Sequence, residues 1–85
     1  MESNTTCLFD VSDIDDVLVE ETINEVYDAL EEKGYNPVNQ IVGYLISGDP
    51  GYISTYNESR KKISKLERTQ IVEVLLRHYM NKWDI

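Results

Sequence analysis

The chain has a single cysteine, no apolar run long enough to cross a membrane, and no basic residue among its first 32 positions. Because Cys7 has no second thiol to pair with, it cannot form an internal disulfide, and a reducing compartment fits best. No stretch approaches the roughly 20 apolar residues of a transmembrane helix, and the N-terminus lacks the basic start of a secretory signal. We therefore expect a cytoplasmic protein without membrane insertion.

Residues that could support catalysis or hold a cofactor are equally sparse. His78 is the only histidine, and without a cysteine or second histidine to complete a cluster it is expected to be partly buried and structural. The four glycines match neither the dinucleotide nor the Walker spacing. Adjacent acids such as Asp15 and Asp16 point in different directions along a helix and should be solvated. The sequence thus predicts no enzyme activity, no cofactor and no metal.

Charge is distributed unevenly along the chain, whose net charge is −8. The first 32 residues hold eleven acids and no base, whereas residues 33–85 hold eight bases and five acids. A local basic cluster stands in the second part, at Arg60, Lys61, Lys62, Lys65 and Arg68. It is interpreted either as a solvated helix face or as a docking face for an acidic protein or the chain's own acidic end. Nucleic-acid binding through this segment is a third hypothesis, which the acidic total disfavours.

Length and hydrophobic spacing predict one small helical domain. Eighty-five residues, 41% of them hydrophobic, support a single modest core. Residues 1–12 are polar and are expected to form a flexible N-terminal arm, and residues 13–85 to form the domain. From about Asp16 the apolar spacing is helical. The predicted core stripe of this first helix consists of Val19, Ile23, Val26, Tyr27 and Leu30.

The most ordered part of the pattern is the run from 33 to 53, KGYNPVNQIVGYLISGDPGYI. Asn36 can cap a helix whose first residue is Pro37, since proline needs no hydrogen-bonded N–H there. Gly48 then ends that helix, because glycine adopts the left-handed conformation without a steric penalty. Asp49 and Pro50 repeat the arrangement of cap and proline. The sequence therefore predicts a second, short helix between Pro37 and Gly48.

This second helix carries almost no charge and should lie centrally in the bundle. Its expected buried residues are Ile41, Val42, Leu45 and Ile46. Gly43 lies in its interior, where glycine costs about 1 kcal/mol relative to alanine. We infer that another helix packs closely against Gly43, with a dimer axis as one candidate location.

The basic cluster falls on a third helical element. Thr55 and Glu58 have the spacing of a capping box at its start, as do Ser64 and Glu67 further along. Drawn as one helix, Arg60, Lys61, Lys65 and Arg68 share one arc, opposite Ser59, Ile63 and Leu66. The element either breaks between Ser64 and Thr69 or continues as one bent helix into the last one.

The final helix has the widest apolar stripe in the chain. Its members are Ile71, Val72, Val74, Leu75, Leu76, Tyr79, Met80 and Trp83. A chain this short cannot cover the whole stripe, and the uncovered part favours a homodimer. The overall expectation is an all-α compact bundle of four to five helices.

Several segments together resemble the IreB-type regulatory phosphoprotein family of Gram-positive bacteria. They are TCLFD at 6–10, VYDAL at 26–30, the run at 33–53, the Glu67-Arg68 pair and the final apolar helix. The resemblance implies a small cytoplasmic protein that serves as substrate of a membrane Ser/Thr kinase and a cognate phosphatase. It further implies a phosphoacceptor at Thr6, with Thr5 as the alternative because it is adjacent.

The same resemblance implies a role in cell-wall control. In relatives, the unmodified protein promotes Clp-protease turnover of the first committed enzyme of peptidoglycan synthesis, and phosphorylation relieves it. Cephalosporin resistance would depend on that balance. Separately from the resemblance, the charge pattern makes Arg60, Lys61, Lys65 and Arg68 the candidate partner-binding residues. We hypothesise that the phosphorylated arm either docks on the basic face of Arg60, Lys65 and Arg68 or repels an acidic partner from it.

The sequence departs from the resembled family at three positions, and a second interpretation of the function also stays open. Ser54, Thr55 and Ser64 stand where similar proteins carry proline, arginine and arginine, so the partner surface differs. A helical protein-interaction or assembly module without phosphorylation would also fit the composition, the threonines then being ordinary residues of a frayed end.

Overall fold

The computed structural model describes residues 11–81, which form four α-helices and two 3₁₀ turns and no strand. The helices are α1 (Val11–Lys33), α2 (Pro37–Ser47), α3 (Ser59–Ser64) and α4 (Arg68–Asn81), and the turns are Pro50–Tyr52 and Tyr56–Glu58. The predicted all-α class is therefore confirmed. Helix α1 begins at Val11, within the range expected for the arm, while Thr5, Thr6 and Trp83 lie outside the described residues.

Helix α1 is the central element of the bundle. It is 23 residues long and contacts α2, α3, α4 and the second 3₁₀ turn. Val19, Val26 and Leu30 of the predicted stripe are buried. The expectation that α2 lies centrally is wrong, because α2 packs mainly against α1 and the first 3₁₀ turn. Only α1 is long enough to present a face to every other helix.

The core collects residues from each helix and from the loop before α3. It consists of Val19, Val26, Leu30, Ile41, Tyr44, Ile53, Ile63, Ile71 and Val74, with Ile23, Leu45 and Leu66 packed against it. Burying one such side chain stabilises the fold by about 1.5–3 kcal/mol. Ile53 and Ile63 are fully buried, so the loop and the short α3 are held by the core rather than by their own helical hydrogen bonds.

The ends of α2 follow from local chemistry. Asn36 Oδ1 accepts a hydrogen bond from the Asn39 N–H at 3.0 Å, and Pro37 occupies the first turn. At the other end Gly48 has φ +78°, and its N–H donates to the Tyr44 carbonyl at 2.8 Å. Asp49 Oδ1 then accepts from the Gly51 N–H at 2.8 Å. The helix therefore has the bounds that proline and glycine predicted.

The buried face of α2 differs from the expected one. Ile41 is buried and Leu45 half-buried, but Val42 is 44% exposed and Ile46 is 80% exposed. Tyr44, which was not expected in the core, is buried instead. Residues 41, 44 and 45 share one side of a helix, whereas 42 and 46 lie on another. Because α2 packs against only one side of α1, only one narrow face of α2 is buried.

The segment before α3 lacks the predicted capping box. The Thr55 side chain makes no cap hydrogen bond, and Asn57 and Glu58 both have positive φ, 56° and 62°. The chain therefore turns through two left-handed residues before α3 begins. Ser64 does not cap α4 either, since its Oγ donates to the Arg60 carbonyl at 2.7 Å.

Helix α4 buries only part of its apolar stripe. Ile71 and Val74 are buried, whereas Val72, Leu75, Leu76, Tyr79 and Met80 are 41–59% exposed. Tyr27 of α1, expected in the core, is also exposed, at 37%. One chain thus leaves a continuous apolar face on α4 open, as the excess of apolar residues predicted.

Candidate functional site

The predicted basic arc is divided by a break in the chain. Helix α3 ends at Ser64, Lys65 lies in the following turn, and Arg68 begins α4. The predicted break is therefore confirmed, and a helical projection does not extend across it. Arg60 and Lys61 line one cleft of about 400 Å³, Lys65 a second of about 340 Å³, and Arg68 a third of about 530 Å³. The four residues do not form one continuous face.

The two arginines hold backbone carbonyls in place. Arg60 Nε donates to the Ile53 carbonyl at 2.8 Å, across the loop that leads into α3. Arg68 Nη1 donates to the Leu45 carbonyl at 2.9 Å, near the end of α2. Carbonyls in the last turn of a helix lack intrahelical partners and attract cations. Each arginine therefore has a structural role in addition to its charge.

Arg68 also explains why a glycine stands at position 48. A Cβ placed on Gly48 would lie 2.9 Å from the Arg68 Cζ. The guanidinium therefore lies against the bare Cα of Gly48, which already needs its left-handed φ. Arg68, the first residue of α4, thus contacts the C-terminal end of α2 at Gly48.

The lysines of the cluster are differently placed. Lys62 Nζ lies 3.5 Å from Glu25 Oε1 of α1. Within residues 11–81, Lys61 and Lys65 are exposed and form no ion pair with another described side chain. These two ammonium groups are therefore the cations of the cluster that are most available to a partner.

The turn at Asn57 and Glu58 is fixed from several directions. The Ser54 N–H donates to Gln40 Oε1 of α2 at 2.9 Å, and the Tyr56 N–H donates to Ser54 Oγ at 3.0 Å. Lys33 Nζ lies 5.2 Å from the centre of the Tyr56 ring, within the range of a cation–π contact. The negative charge of Glu32 raises the pKa of Tyr56, and desolvation and a hydrogen bond with Glu32 add to this.

Ion pairs join the N-terminal half of α1 to the C-terminal part of α4. Arg77 Nη1 lies 2.6 Å from Asp16 Oδ2, and His78 Nε2 lies 2.8 Å from Glu20 Oε2. The His78 side chain is 64% exposed, so the expectation of a partly buried histidine is wrong. Asp16 was expected to be solvated and is instead 18% exposed and paired. Sequence reasoning missed these pairs because their partners are about 60 positions apart.

Other kinds of site have no support within the described residues. Among the side chains that the structure describes, at positions 16–80, no group of three His, Cys, Asp or Glu is arranged to hold a metal ion. No helix in that range is long and apolar enough to cross a bilayer. The charged features that remain are the lysines beside α3 and the acidic surface of α1.

A comparison with protein-family models decides the relationship suggested by the central run. The model of the IreB regulatory phosphoprotein family matches residues 4–81. The chain belongs to that family. The match includes both candidate phosphoacceptors, Thr5 and Thr6, and the whole of the bundle from α1 to α4. The function of the chain is therefore that of a regulatory phosphoprotein, which implies protein partners.

Proposed function

We propose that this IreB protein is a non-enzymatic switch in the cytoplasm whose state is set by phosphorylation of Thr6, with Thr5 as the alternative acceptor. The observation that carries the proposal is the family match, which spans residues 4–81 and so includes both threonines. The modifying enzymes would be a membrane Ser/Thr kinase and its cognate phosphatase. A phosphoryl group adds about −1.5 to −2 charges to a segment that contains no base.

The output of the switch would be control of peptidoglycan synthesis. We propose that the unmodified protein promotes Clp-dependent turnover of the first committed enzyme of that route, and that phosphorylation relieves the turnover. Tolerance of wall-active antibiotics, including cephalosporin resistance, would follow from the level of that enzyme. These steps rest on the resemblance to the family.

The candidate partner contacts in this proposal are Lys61 of α3 and Lys65 of the turn that follows it. Lys61 and Lys65 are exposed and unpaired among the described residues, so they can meet an acidic partner without first breaking another contact. Arg60 and Arg68 contribute charge, but they also hold the carbonyls of Ile53 and Leu45. Substituting the arginines would therefore change folding and binding together.

A pull-down from lysate tests the proposed function. Wild type, Thr6→Ala and the double variant Lys61→Glu/Lys65→Glu should be compared, with Asn39→Glu on the exposed surface of α2 as a control for an added negative charge elsewhere. We expect wild type and Thr6→Ala to capture the same Clp-linked partner and the double lysine variant to lose it. Equal capture by the double variant would contradict the assignment of the surface.

We further propose that the protein forms a homodimer through α4. Val72, Leu75, Leu76, Tyr79 and Met80 form an open apolar face in the single chain. Such a face is typical of surfaces that a second subunit covers. Sedimentation analysis should show a dimer for wild type and a monomer for Leu76→Glu. The control, Val38→Glu on α2, replaces an equally exposed valine and should remain dimeric.

The alternative function is an assembly module without phosphorylation. The same exposed α4 face favours it, since association through that face needs no modified residue. The two functions differ in one respect. The module would form the same complexes whether or not Thr5 and Thr6 are replaced together by alanine.

A further inference from the structure

The second of the three clefts lies where α1 and the turn before α4 meet. It has a volume of about 340 Å³ and is lined by Leu18 and Val19 of α1, by Lys65, Leu66 and Glu67 of the turn, and by Gln70 of α4. Leu18 is 55% exposed and gives the cleft an apolar rim. Lys65 supplies an ammonium group that has no ion-pair partner among the side chains described by the structure. The cleft thus combines one available cation with an apolar edge.

We propose that residues 1–10 of the same chain dock in this cleft when Thr6 carries a phosphoryl group, with the phosphate on Lys65. The inference rests on the proposed function, because it takes the phosphorylated threonine as given. It adds the place where the modified segment binds.

Reach along α1 selects this cleft over the one beside Lys61. Thr6 lies five positions before Val11, where α1 begins, and an extended chain over five positions spans at most about 18 Å. Leu18 lies seven residues into α1, about 10 Å from its start. Lys62, the neighbour of Lys61 in α3, pairs with Glu25. Glu25 lies fourteen residues into α1, about 21 Å from the start of that helix. The backbone at Thr6 can therefore reach the level of Lys65 but not that of Lys61.

The chemistry of the segment matches the cleft in two respects. Leu8 and Phe9 supply apolar side chains for the rim formed by Leu18, and the phosphate supplies the anion for Lys65. Glu67 lines the same cleft, and its negative charge reduces the attraction that Lys65 offers to a weakly charged segment. The unmodified segment therefore gains little electrostatic attraction, and docking requires the divalent phosphate.

The position of the cysteine permits a test that does not depend on a kinase. A peptide thioester of residues 1–6 with phosphothreonine at position 6 can be ligated to a fragment that begins at Cys7, which gives the full chain without added residues. Amide chemical shifts of residues 18 and 65–67 and the ³¹P titration of the phosphate then report docking. The matched variants are Lys65→Ser, Lys61→Ser and Glu67→Gln.

We expect the phosphorylated wild type to shift the amides of the cleft, and Lys65→Ser to lower the ratio of docked to undocked chains about two- to fivefold, the range of one exposed ion pair. Lys61→Ser should leave the shifts unchanged, and Glu67→Gln should enlarge them. Equal shifts in Lys65→Ser and wild type would overturn the proposal. So would shifts that grow with protein concentration, because these would mean docking on another chain.

The outcome is separable from that of the proposed function. Because the phosphate is introduced chemically, a failure to dock leaves phosphorylation by a kinase untouched. Conversely, docking of the synthetic phosphoprotein would stand even if no kinase modified Thr6.

Discussion

Replacing Gly43 by alanine tests the close packing at this position, where the neighbour is Tyr52 of the first 3₁₀ turn and not the helix that the sequence predicted. A Cβ at this position would lie 2.5 Å from the Tyr52 Cδ1, 2.9 Å from Cε1 and 3.1 Å from Cγ. Carbon atoms pack without repulsion at about 3.5–4.0 Å. The clash involves the base of the ring rather than its tip, so the Tyr52 side chain must move by roughly 1 Å or leave its place.

Two opposing effects determine how much Gly43→Ala changes the free energy of unfolding. Alanine in a helix interior is about 1 kcal/mol better than glycine. Overpacking costs typically about 1–3 kcal/mol, and Tyr52 is 52% exposed, so it can move outward and keep the cost from the upper end. We expect Gly43→Ala to lower the free energy of unfolding by about 0–2 kcal/mol.

Making Gly43→Ala in the Tyr52→Ala variant separates helix propensity from overpacking, because the change in the free energy of unfolding should then have the opposite sign. In Tyr52→Ala the ring is absent, so Gly43→Ala should raise the free energy of unfolding by up to about 1 kcal/mol. The double-mutant cycle then gives a coupling energy of about 1–3 kcal/mol. Urea and thermal unfolding of the four proteins measure it, since 1 kcal/mol shifts Tm by about 4–8 °C in a domain of this size.

One result would refute this reasoning. If Gly43→Ala stabilises the wild type as much as it stabilises Tyr52→Ala, the ring does not lie against Gly43. The contact is within one chain, so the effect should also be independent of protein concentration. A concentration-dependent loss would favour the dimer axis that the sequence left open.

Three further predictions concern single contacts. Ser59 is fully buried and its Oγ has no partner among the described residues, so Ser59→Ala should raise the free energy of unfolding by about 1 kcal/mol in urea unfolding; a loss of stability would mean that the hydroxyl is satisfied. Arg68→Ala should lower it by about 1 kcal/mol through loss of the bond to Leu45, whereas Lys61→Ala should change it by less than about 0.5 kcal/mol. Glu32→Gln should lower the pKa of Tyr56, followed by ¹³C NMR of the tyrosine rings. The pKa of Tyr56 is higher in the folded protein than in the unfolded chain, so its contribution to stability is complete below the unfolded pKa and is lost as pH rises through the folded pKa. An unchanged Tyr56 pKa in Glu32→Gln would contradict the contact between Glu32 and Tyr56.

Helix boundaries were the most predictable part of the fold. Helix α2 begins at Pro37 and ends before Gly48 because proline and glycine restrict the backbone at their own positions, whatever the rest of the chain does. The break after Ser64 was predicted as one of two alternatives, and the buried stripe of α1 was largely predicted by its spacing. These features depend on local chemistry or on a long periodic pattern.

Burial within short helices was less predictable. Val42 and Ile46 have the composition of core residues but are exposed, while Tyr44 is buried. An uncharged helix offers apolar residues on several faces, and the sequence does not say which one meets α1. The paired left-handed residues Asn57 and Glu58 were also unforeseen, since only neighbouring segments hold them in that conformation.

At the candidate site, the positions of the basic residues also depended on contacts that the sequence does not give. The charge of the basic cluster is evident from its residues, but the common arc predicted for them assumed a continuous helix. The backbone bonds of Arg60 and Arg68 depend on where Ile53 and Leu45 lie in space. Only the structure separates these arginines from Lys61 and Lys65.

Phosphate transfer to the N-terminal segment is the most direct test of the proposed switch. The full chain should be incubated with the Ser/Thr kinase of the same organism, and intact mass and site mapping compared for wild type, Thr6→Ala and Thr5→Ala. We predict one added phosphate on wild type and on Thr5→Ala, located at Thr6, and little or none on Thr6→Ala. Absence of phosphate from residues 1–10, or phosphate confined to residues 11–85, would contradict the proposal that this segment receives the regulatory modification.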